Sequence, residues 1–451
     1  MKHKTLYWFT HDLRLQNNEL LQLALQTSEQ ITFIYIFDEQ LVNYVQFNSH
    51  AIGKQRLQFI HQALEQLQQD LAEFGHDLII LKGSSKLLIA QCVESLHISQ
   101  IAIAKQIGWY ETKLYHHIVS TLPKLASLTH WQHTLFDQQP ARSSSDLTTF
   151  SKFRKLVEKQ QVHNIRVPMV KVNLADIAPL KLNKLLKSLH QESASDLSGS
   201  DSNITHCEFL AGEQAALTHL TDYLQSGAAN TYKLTRNELD GWSNSTKFSP
   251  YLAIGSLSPC RIWHEINEFE AQQGANESTY WIKFELLWRE FFQWSAFDLS
   301  EQLFSFQGSK KTKPLTSFFA ERFKKWCLGN TPFPLVNACM KQLNATGYMS
   351  NRGRQIVASC LIYDLGIDWR YGAAYFQQQL LDYDVAANWG NWQYIAGVGA
   401  DPKGGRHFNL TKQTQQYDPH GHFVSQWCTS EVVTTLDSTD MVDWPISGTV
   451  E

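Results

Sequence analysis

Four absences narrow what this 451-residue chain can be. Its seven cysteines, Cys92, Cys207, Cys260, Cys327, Cys339, Cys360 and Cys428, form no Cys-x-x-Cys pair. That scatter argues against a disulfide framework and a zinc site, so no metal is expected and a reducing compartment fits. No apolar run is long enough to span a bilayer, and Met1-Lys2-His3-Lys4 leads into a short apolar strand without a small-residue cleavage site. The expectation is a cytoplasmic protein with no membrane partner. Positive charge is not in surplus: the net charge is −4, so any nucleic-acid surface must be a local patch. Finally, no Gly-x-Gly-x-x-Gly follows the first apolar strand, which argues against a dinucleotide site of that type.

What is present in excess is aromatic. Fourteen tryptophans are more than packing alone usually requires, and they cluster with charge in one stretch. Tyr348 to Gln355 reads Tyr-Met-Ser-Asn-Arg-Gly-Arg-Gln, an apolar run follows to Leu365, and Asp382 to Tyr394 reads Asp-Tyr-Asp-Val-Ala-Ala-Asn-Trp-Gly-Asn-Trp-Gln-Tyr. Buried charges survive only when paired. The economical reading is that Arg354 meets Asp382 or Asp384 around a polar, aromatic ligand, although a buried Arg–Asp pair is also a common structural device.

The rest of the chain divides into an N-terminal part and a helical part. Over residues 1–135, β-rich runs at Leu6–Phe9, Ile31–Phe37, Leu78–Leu81 and Ile101–Ala104 alternate with helical segments such as Lys54–Phe74. This is the pattern of a doubly wound α/β domain with a parallel sheet. Residues 136–205 read as a connector wrapping over the surface, with Glu192–Ser202 an exposed Ser/Asp/Gly-rich loop. Residues 206–430 read as an α-helical domain: a helix begins at Gly212–Leu217, and Ser278–Phe292 repeats apolar residues at i, i+3 and i+4. Residues 431–451 form a polar tail, with Val433–Asp440 expected to be frayed. Ser245-Thr246-Lys247-Phe248-Ser249-Pro250 runs into a helix start, a pattern that caps helices and also suits an anion.

Asn351-Arg352-Gly353-Arg354-Gln355, Ile367-Asp368-Trp369-Arg370 and Asp382-Tyr383-Asp384 followed by Asn388 and Gly390-Asn391-Trp392 closely resemble the flavin-binding core of the photolyase/cryptochrome family. Gly353 with Gln355 resembles its DASH-type branch, and the resemblance runs to about Trp427. It implies a folded FAD held by Tyr232, Ser245, Thr246, Lys247, Phe248, Ser249, Trp281, Arg289, Asn351, Arg354, Asp382, Asp384 and Asn388. In that reading Arg354 pairs with Asp382 near the flavin N5 edge, and the neutral amide of Asn388 suits a reduced flavin protonated at N5. Trp392 and Trp369 match the inner and middle members of the family's photoreduction relay. The outer tryptophan is missing, since Thr316-Ser317-Phe318-Phe319 occupies its region, so the relay stops at Trp369 or leaves through Trp326 or Tyr371.

The resemblance further implies blue-light repair of cyclobutane pyrimidine dimers. Glu285, Trp288, Asn351 and Arg352 match the lesion pocket: Glu285 as a desolvated, protonated hydrogen-bonding acid, Trp288 as a stacking face and Arg352 as a phosphate contact. Gln355 and Tyr394 make that pocket more polar than in duplex-acting relatives. A polar pocket gives less apolar burial to offset base extraction, which points to single-stranded or looped DNA and a monomeric enzyme. The resemblance also implies a folate antenna, methenyltetrahydrofolate, but Gln106 stands where the family carries a glutamate, and an amide offers no charge-assisted pair. A blue-light photoreceptor that binds FAD and nucleic acid without efficient repair is the alternative. A light-independent flavin oxidoreductase is the weakest reading, for want of a nicotinamide site.

Overall fold

A computed structural model describes residues 2–39, 45–141, 143–160, 162, 165–169, 172–198, 209–310, 313–428 and 435–437. The N-terminal domain holds β1 (His3–Phe9), α1 (Glu19–Thr27), β2 (Ser28–Asp38), α2 (Lys54–Ala72), β3 (Leu78–Gly83), α3 (Ser85–Leu96), β4 (Gln100–Ala104), α4 (Trp109–Thr121) and β5 (Ala126–His130). The strands pair in parallel in the order β3-β2-β1-β4-β5. Because side chains alternate along a strand, the sheet feeds two cores. Leu6, Trp8, Ile34, Ile79 and Ile101 pack with Leu88, Ile89, Cys92 and Ile118 of α3 and α4. Tyr7, Phe9, Phe33, Leu78 and Ala102 face the other way, into a core continuous with the helical domain.

The connector carries α5 (Phe150–Gln160), a two-residue strand β6 (Ala178–Pro179) paired to β2, and α6 (Lys184–Ser198). The loop expected at Glu192–Ser202 is therefore helical as far as Ser198, and the remainder lies outside the described residues. Helix α6 docks through Leu186 and Leu189 in its first half, and beyond them through polar side chains. Leu186 is buried, His190 Nδ1 takes the Ile80 N–H at 3.0 Å, and Ser193 Oγ takes that of Lys82 at 3.0 Å.

The helical domain follows as α7 (Glu213–Gln225), α8 (Tyr232–Thr235), α9 (Ser249–Ile254), α10 (Pro259–Gln273), α11 (Glu277–Leu299), α12 (Ala320–Leu328), α13 (Pro334–Thr346), α14 (Asn351–Ser359), α15 (Trp369–Gln379), α16 (Val385–Ala396), α17 (Leu410–Tyr417) and α18 (His422–Trp427). The apolar run after α14 continues as a π-helical turn, Cys360–Asp364.

Two buried glutamates lock the halves together. Glu213 accepts the N–H groups of Leu15 (2.8 Å) and Gln16 (2.9 Å), and Glu290 accepts those of Leu135 (2.9 Å) and Phe136 (3.3 Å) and the indole N–H of Trp294 (2.8 Å). Burial outweighs these donors and pushes both carboxyls up to about 7. The stretch expected to fray is partly held: Lys325 Nζ donates to the Leu436 carbonyl at 2.8 Å, and Arg322 grips Asp437 through two donors. Residues 433–434 and 438–440 lie outside the described residues. Among the described residues no helix is long and apolar enough to cross a membrane.

Candidate functional site

An open cavity of about 1120 Å³, counting the solvent in its mouth, is walled by α8, α11, α14, α15, α16 and the segment from Ser245 to Ser249. Its inner end is built on helix starts. Ser350 caps α14 by accepting the Gly353 N–H at 3.1 Å, which aims Arg354 inward. Gly353 leaves room for its neighbours: a Cβ there would stand 2.9 Å from Met349 Cγ and 3.3 Å from Cys339 Sγ and would push those side chains aside. Arg354 Nε donates to the Met349 carbonyl at 2.8 Å and its Nη2 to Asp382 Oδ2 at 2.8 Å. Burial alone would lower the Arg354 pKa, but the adjoining Asp382 carboxylate raises it overall. Of the two partners left open by the sequence, Asp382 is the one taken.

The second carboxylate, Asp384, caps α16 by accepting the Ala387 N–H at 2.8 Å. Its other oxygen takes the Gln293 amide at 2.6 Å and faces Arg289 Nη2 at 3.6 Å. One turn on, Asn388 donates its Nδ2 to the Ala373 carbonyl at 2.9 Å, which leaves its side-chain oxygen as the atom offered to the cavity. Trp392 completes this end, buried against Phe376. Gly372 lets the indole in, because a Cβ there would lie 2.2 Å from Trp392 Cη2.

The opposite end is hydroxyl-rich. Ser245, Thr246, Lys247, Ser249 and Tyr232 line it. Lys247 adopts a positive φ of 53°, and its Nζ lies 4.2 Å from the Tyr348 ring centroid. His219 Nε2 donates to the Thr246 carbonyl at 2.8 Å and so braces the segment from behind. Phe248 is buried against His219 and Tyr223 and supports the loop without lining the cavity. The helix that follows is only six residues, so the hydroxyls and Lys247, more than a helix dipole, suit an anion.

At the mouth, Asn351 and Gln355 line the cavity with Glu285. Glu285 is one-third exposed and ion-paired with Arg236, so a salt bridge replaces the desolvated acid expected from the sequence. Arg236, not anticipated, sits one helical turn after Tyr232, and that i, i+4 spacing was the available signal. Arg352 donates to Asn237 Oδ1 at 3.2 Å and lies over the rings of Tyr417 (4.9 Å) and Phe408 (5.9 Å), away from the cavity wall.

Several expected residues stand elsewhere. Trp288 is stacked on Phe150 with centroids 3.8 Å apart and packs against Phe292 at 5.6 Å, so the face toward Phe150 is taken. Tyr394 meets the Trp288 edge, and its hydroxyl accepts from Arg406 Nη2 at 2.7 Å. Trp281 lies under Lys233 and Arg236 with its indole N–H buried and unpartnered. Trp369 is fully buried, donates to the Phe306 carbonyl at 3.0 Å, and meets Trp389 at 5.7 Å.

Arg289 lines a second, smaller cleft of about 440 Å³ with His11, Gln106, Glu111, His133 and Asp384. Burial pulls His133 down to about 3, so this histidine is neutral at physiological pH. Gln106 spends its amide on Thr10 Oγ1 (3.0 Å) and the Ala104 carbonyl (2.7 Å). Besides Asp384, which is engaged by Gln293 and Arg289, the cleft holds the carboxylate of Glu111, in the first turn of α4 and packed against Gly108.

A parallel-sheet domain joined to a helical domain whose cavity carries an Arg–Asp pair, a cavity-facing asparagine oxygen and a hydroxyl-rich far end defines a flavin-binding, photolyase-type protein. Residues 281–441 match the family model for the FAD binding domain of DNA photolyase, and residues 5–170 match that for DNA photolyase. The chain is 45% identical over 443 residues to a cryptochrome DASH of Idiomarina loihiensis, covering 98% of this chain and 96% of the relative. It is 43% identical over 452 residues to a cryptochrome DASH of Vibrio parahaemolyticus, covering 99% and 98%. The crystal structure of a Synechocystis cryptochrome superposes with a TM-score of 0.85 at 36% identity, over 95% of this chain and 89% of that one. A class III photolyase from Agrobacterium tumefaciens gives 0.77 at 25% identity, over 95% and 86%. The chain belongs to the photolyase/cryptochrome family, among relatives of the cryptochrome DASH type, and is an FAD-binding flavoprotein of that family.

Proposed function

We propose that this protein repairs cyclobutane pyrimidine dimers in single-stranded or looped DNA under blue light, using reduced FAD. The observation that carries the reading is the unpartnered Oδ1 of Asp382. Its side chain is 2% exposed, Oδ2 is committed to Arg354, and Oδ1 has no partner in the protein. A buried acceptor of this kind costs about 1–3 kcal/mol if left unmade, and a flavin ring N–H is a donor that satisfies it. The neighbouring Asn388 offers an oxygen, which accepts from a protonated N5. Ser245, Thr246, Lys247 and Ser249 hold the pyrophosphate at the far end, with Tyr232 alongside. Held by these residues, FAD in its reduced form would supply the light-driven electron for splitting the dimer.

The chain's own residues do the rest. Asn351, Gln355, Glu285 and Arg236 present donors and acceptors at the mouth, where pyrimidine carbonyls and N–H groups need them. Glu285 acts as an acceptor and as the anchor of Arg236, whose guanidinium favours charge developing on a carbonyl oxygen. Arg352, held over the Tyr417 and Phe408 rings outside the cavity and next in sequence to Asn351, contacts a phosphate. A polar mouth offsets little of the few kcal/mol needed to unstack a base from a duplex, hence the single-strand preference. In the second cleft, Glu111 in place of Gln106 supplies the carboxylate for a methenyltetrahydrofolate antenna. The test is direct. Irradiated oligothymidine incubated with the reduced protein regains thymine absorbance under blue light and not in the dark; absence of recovery with FAD bound would overturn the repair reading.

A further inference from the structure

Charge at the Asp382–Asp384 end of the cavity does not balance. Asp382 is paired with Arg354 and Asp384 faces Arg289, while His133 in the adjoining cleft is buried and neutral. A third cation remains. Arg56 reaches across from α2 of the N-terminal domain, 7% exposed, with its guanidinium 4.6 Å from the centroid of the Tyr383 ring that lines the cavity. Its Nη2 donates to the Ala51 carbonyl, its Nη1 has no partner, and among the described residues no carboxylate lies within ion-pair distance of it. Glu111, the other carboxylate near Tyr383, sits in the second cleft and is partly open to solvent, where its charge is screened.

An unpaired buried cation is costly, and Arg56 has only Tyr383, Tyr35 and, beyond ion-pair distance, Asp382 to offset its burial. Burial pulls Arg56 down only to about 10, so the charge persists at physiological pH. Three cations against two anions leave a surplus of one positive charge beside the site.

We propose that Arg56 is the counter-charge for the singly anionic reduced flavin, supplied by the N-terminal domain through the Tyr383 wall. The inference rests on the flavin reading above. Two electrons from an external reductant and one proton convert oxidised FAD to the monoanion, and the second proton, which would give the neutral form, is not taken up because Arg56 already compensates the charge. Arg56 is a positioning residue and touches neither flavin nor DNA.

The test uses the full-length, FAD-loaded protein and three variants: R56M, whose apolar chain removes the burial penalty and keeps the volume, R56Q, and R56K, which retains the charge. Flavin midpoint potential is read by spectroelectrochemistry with dithionite, and thermal unfolding is read on the apoprotein. The neutral variants should make reduction at least tenfold less favourable, about 30 mV for this two-electron couple, while R56K stays near the parent. Loss of FAD from both neutral variants, with unfolding unchanged and binding rescued by R56K, supports the same role. A neutral variant that holds FAD at the parent's potential overturns the proposal and leaves the flavin reading intact, as does loss of folding in all three. A parent chain that takes up no FAD overturns the flavin reading itself.

Discussion

Arg354 Nη2 lies 2.8 Å from Asp382 Oδ2, while the second oxygen of that carboxylate meets nothing in the protein. The pair joins α14 to the turn before α16 and leaves one acceptor aimed at a ligand. Asp382→Asn removes the charge that compensates Arg354, and breaking a buried pair costs about 3–5 kcal/mol. The expected outcome is protein that folds less stably and is purified with little FAD, read from flavin absorbance and thermal unfolding. Full flavin content would show that the pair serves packing alone.

At the mouth, Glu285 and Arg236 act as a unit. Hydrogen bonds to charged groups are worth about 1.5–3 kcal/mol, so Glu285→Gln and Arg236→Gln should each slow dimer repair roughly tenfold or more. FAD content should stay at the parent's level. Because the two groups share one interaction, the double variant should lose less than the two single losses combined.

The buried glutamates set a pH dependence. Glu213 and Glu290 ionise at about 7 in the folded chain, against an ordinary value of 4.5. Folding therefore favours the protonated form, and this contribution is complete below pH 4.5 and lost as pH rises through about 7. In Glu213→Gln the melting temperature should depend less on pH across that window than in the parent.

The second cleft separates two residues. Glu111→Gln should abolish the near-ultraviolet band of a bound folate, and Gln106→Ala should keep it, because the Gln106 amide is already spent on Thr10 and Ala104. The opposite result would return the antenna contact to Gln106.

An electron relay needs an exit. Trp369 and Trp326 are fully buried, whereas Tyr371 is partly exposed and stacks on Phe318 at 4.1 Å. Tyr371→Phe and Trp369→Phe should both slow photoreduction of oxidised flavin and leave repair by chemically reduced protein unchanged. A Trp369→Phe protein that photoreduces at the parent's rate would remove the relay.

The fold was legible where period and length agreed. The buried strands around Leu6, Phe33, Ile79 and Ile101 announce themselves as short apolar runs, and the cavity's inner end was readable because Arg354, Asp382, Asp384 and Asn388 sit on two short motifs. What escaped was set by tertiary contact. Helix α6 is held to the β3 backbone through hydrogen bonds accepted by His190 and Ser193, polar residues whose docking no apolar period announces. Trp288 is a stacking face by type, yet Phe150, more than a hundred residues earlier, covers it. Arg56 lies on a segment readable as a helix and Arg236 one turn after Tyr232, but only the folded chain brings them to Tyr383 and Glu285.

The central claim is a chamber that binds flavin at one end and admits a damaged base at the other. Its most direct measurement is blue-light repair by the FAD-loaded, chemically reduced protein of one thymine dimer placed in a single strand and in the matching duplex. The account predicts light-dependent loss of the dimer in the single strand, slower loss in the duplex and none in the dark. Intact dimers in the illuminated single strand, with reduced flavin demonstrably bound, would contradict it.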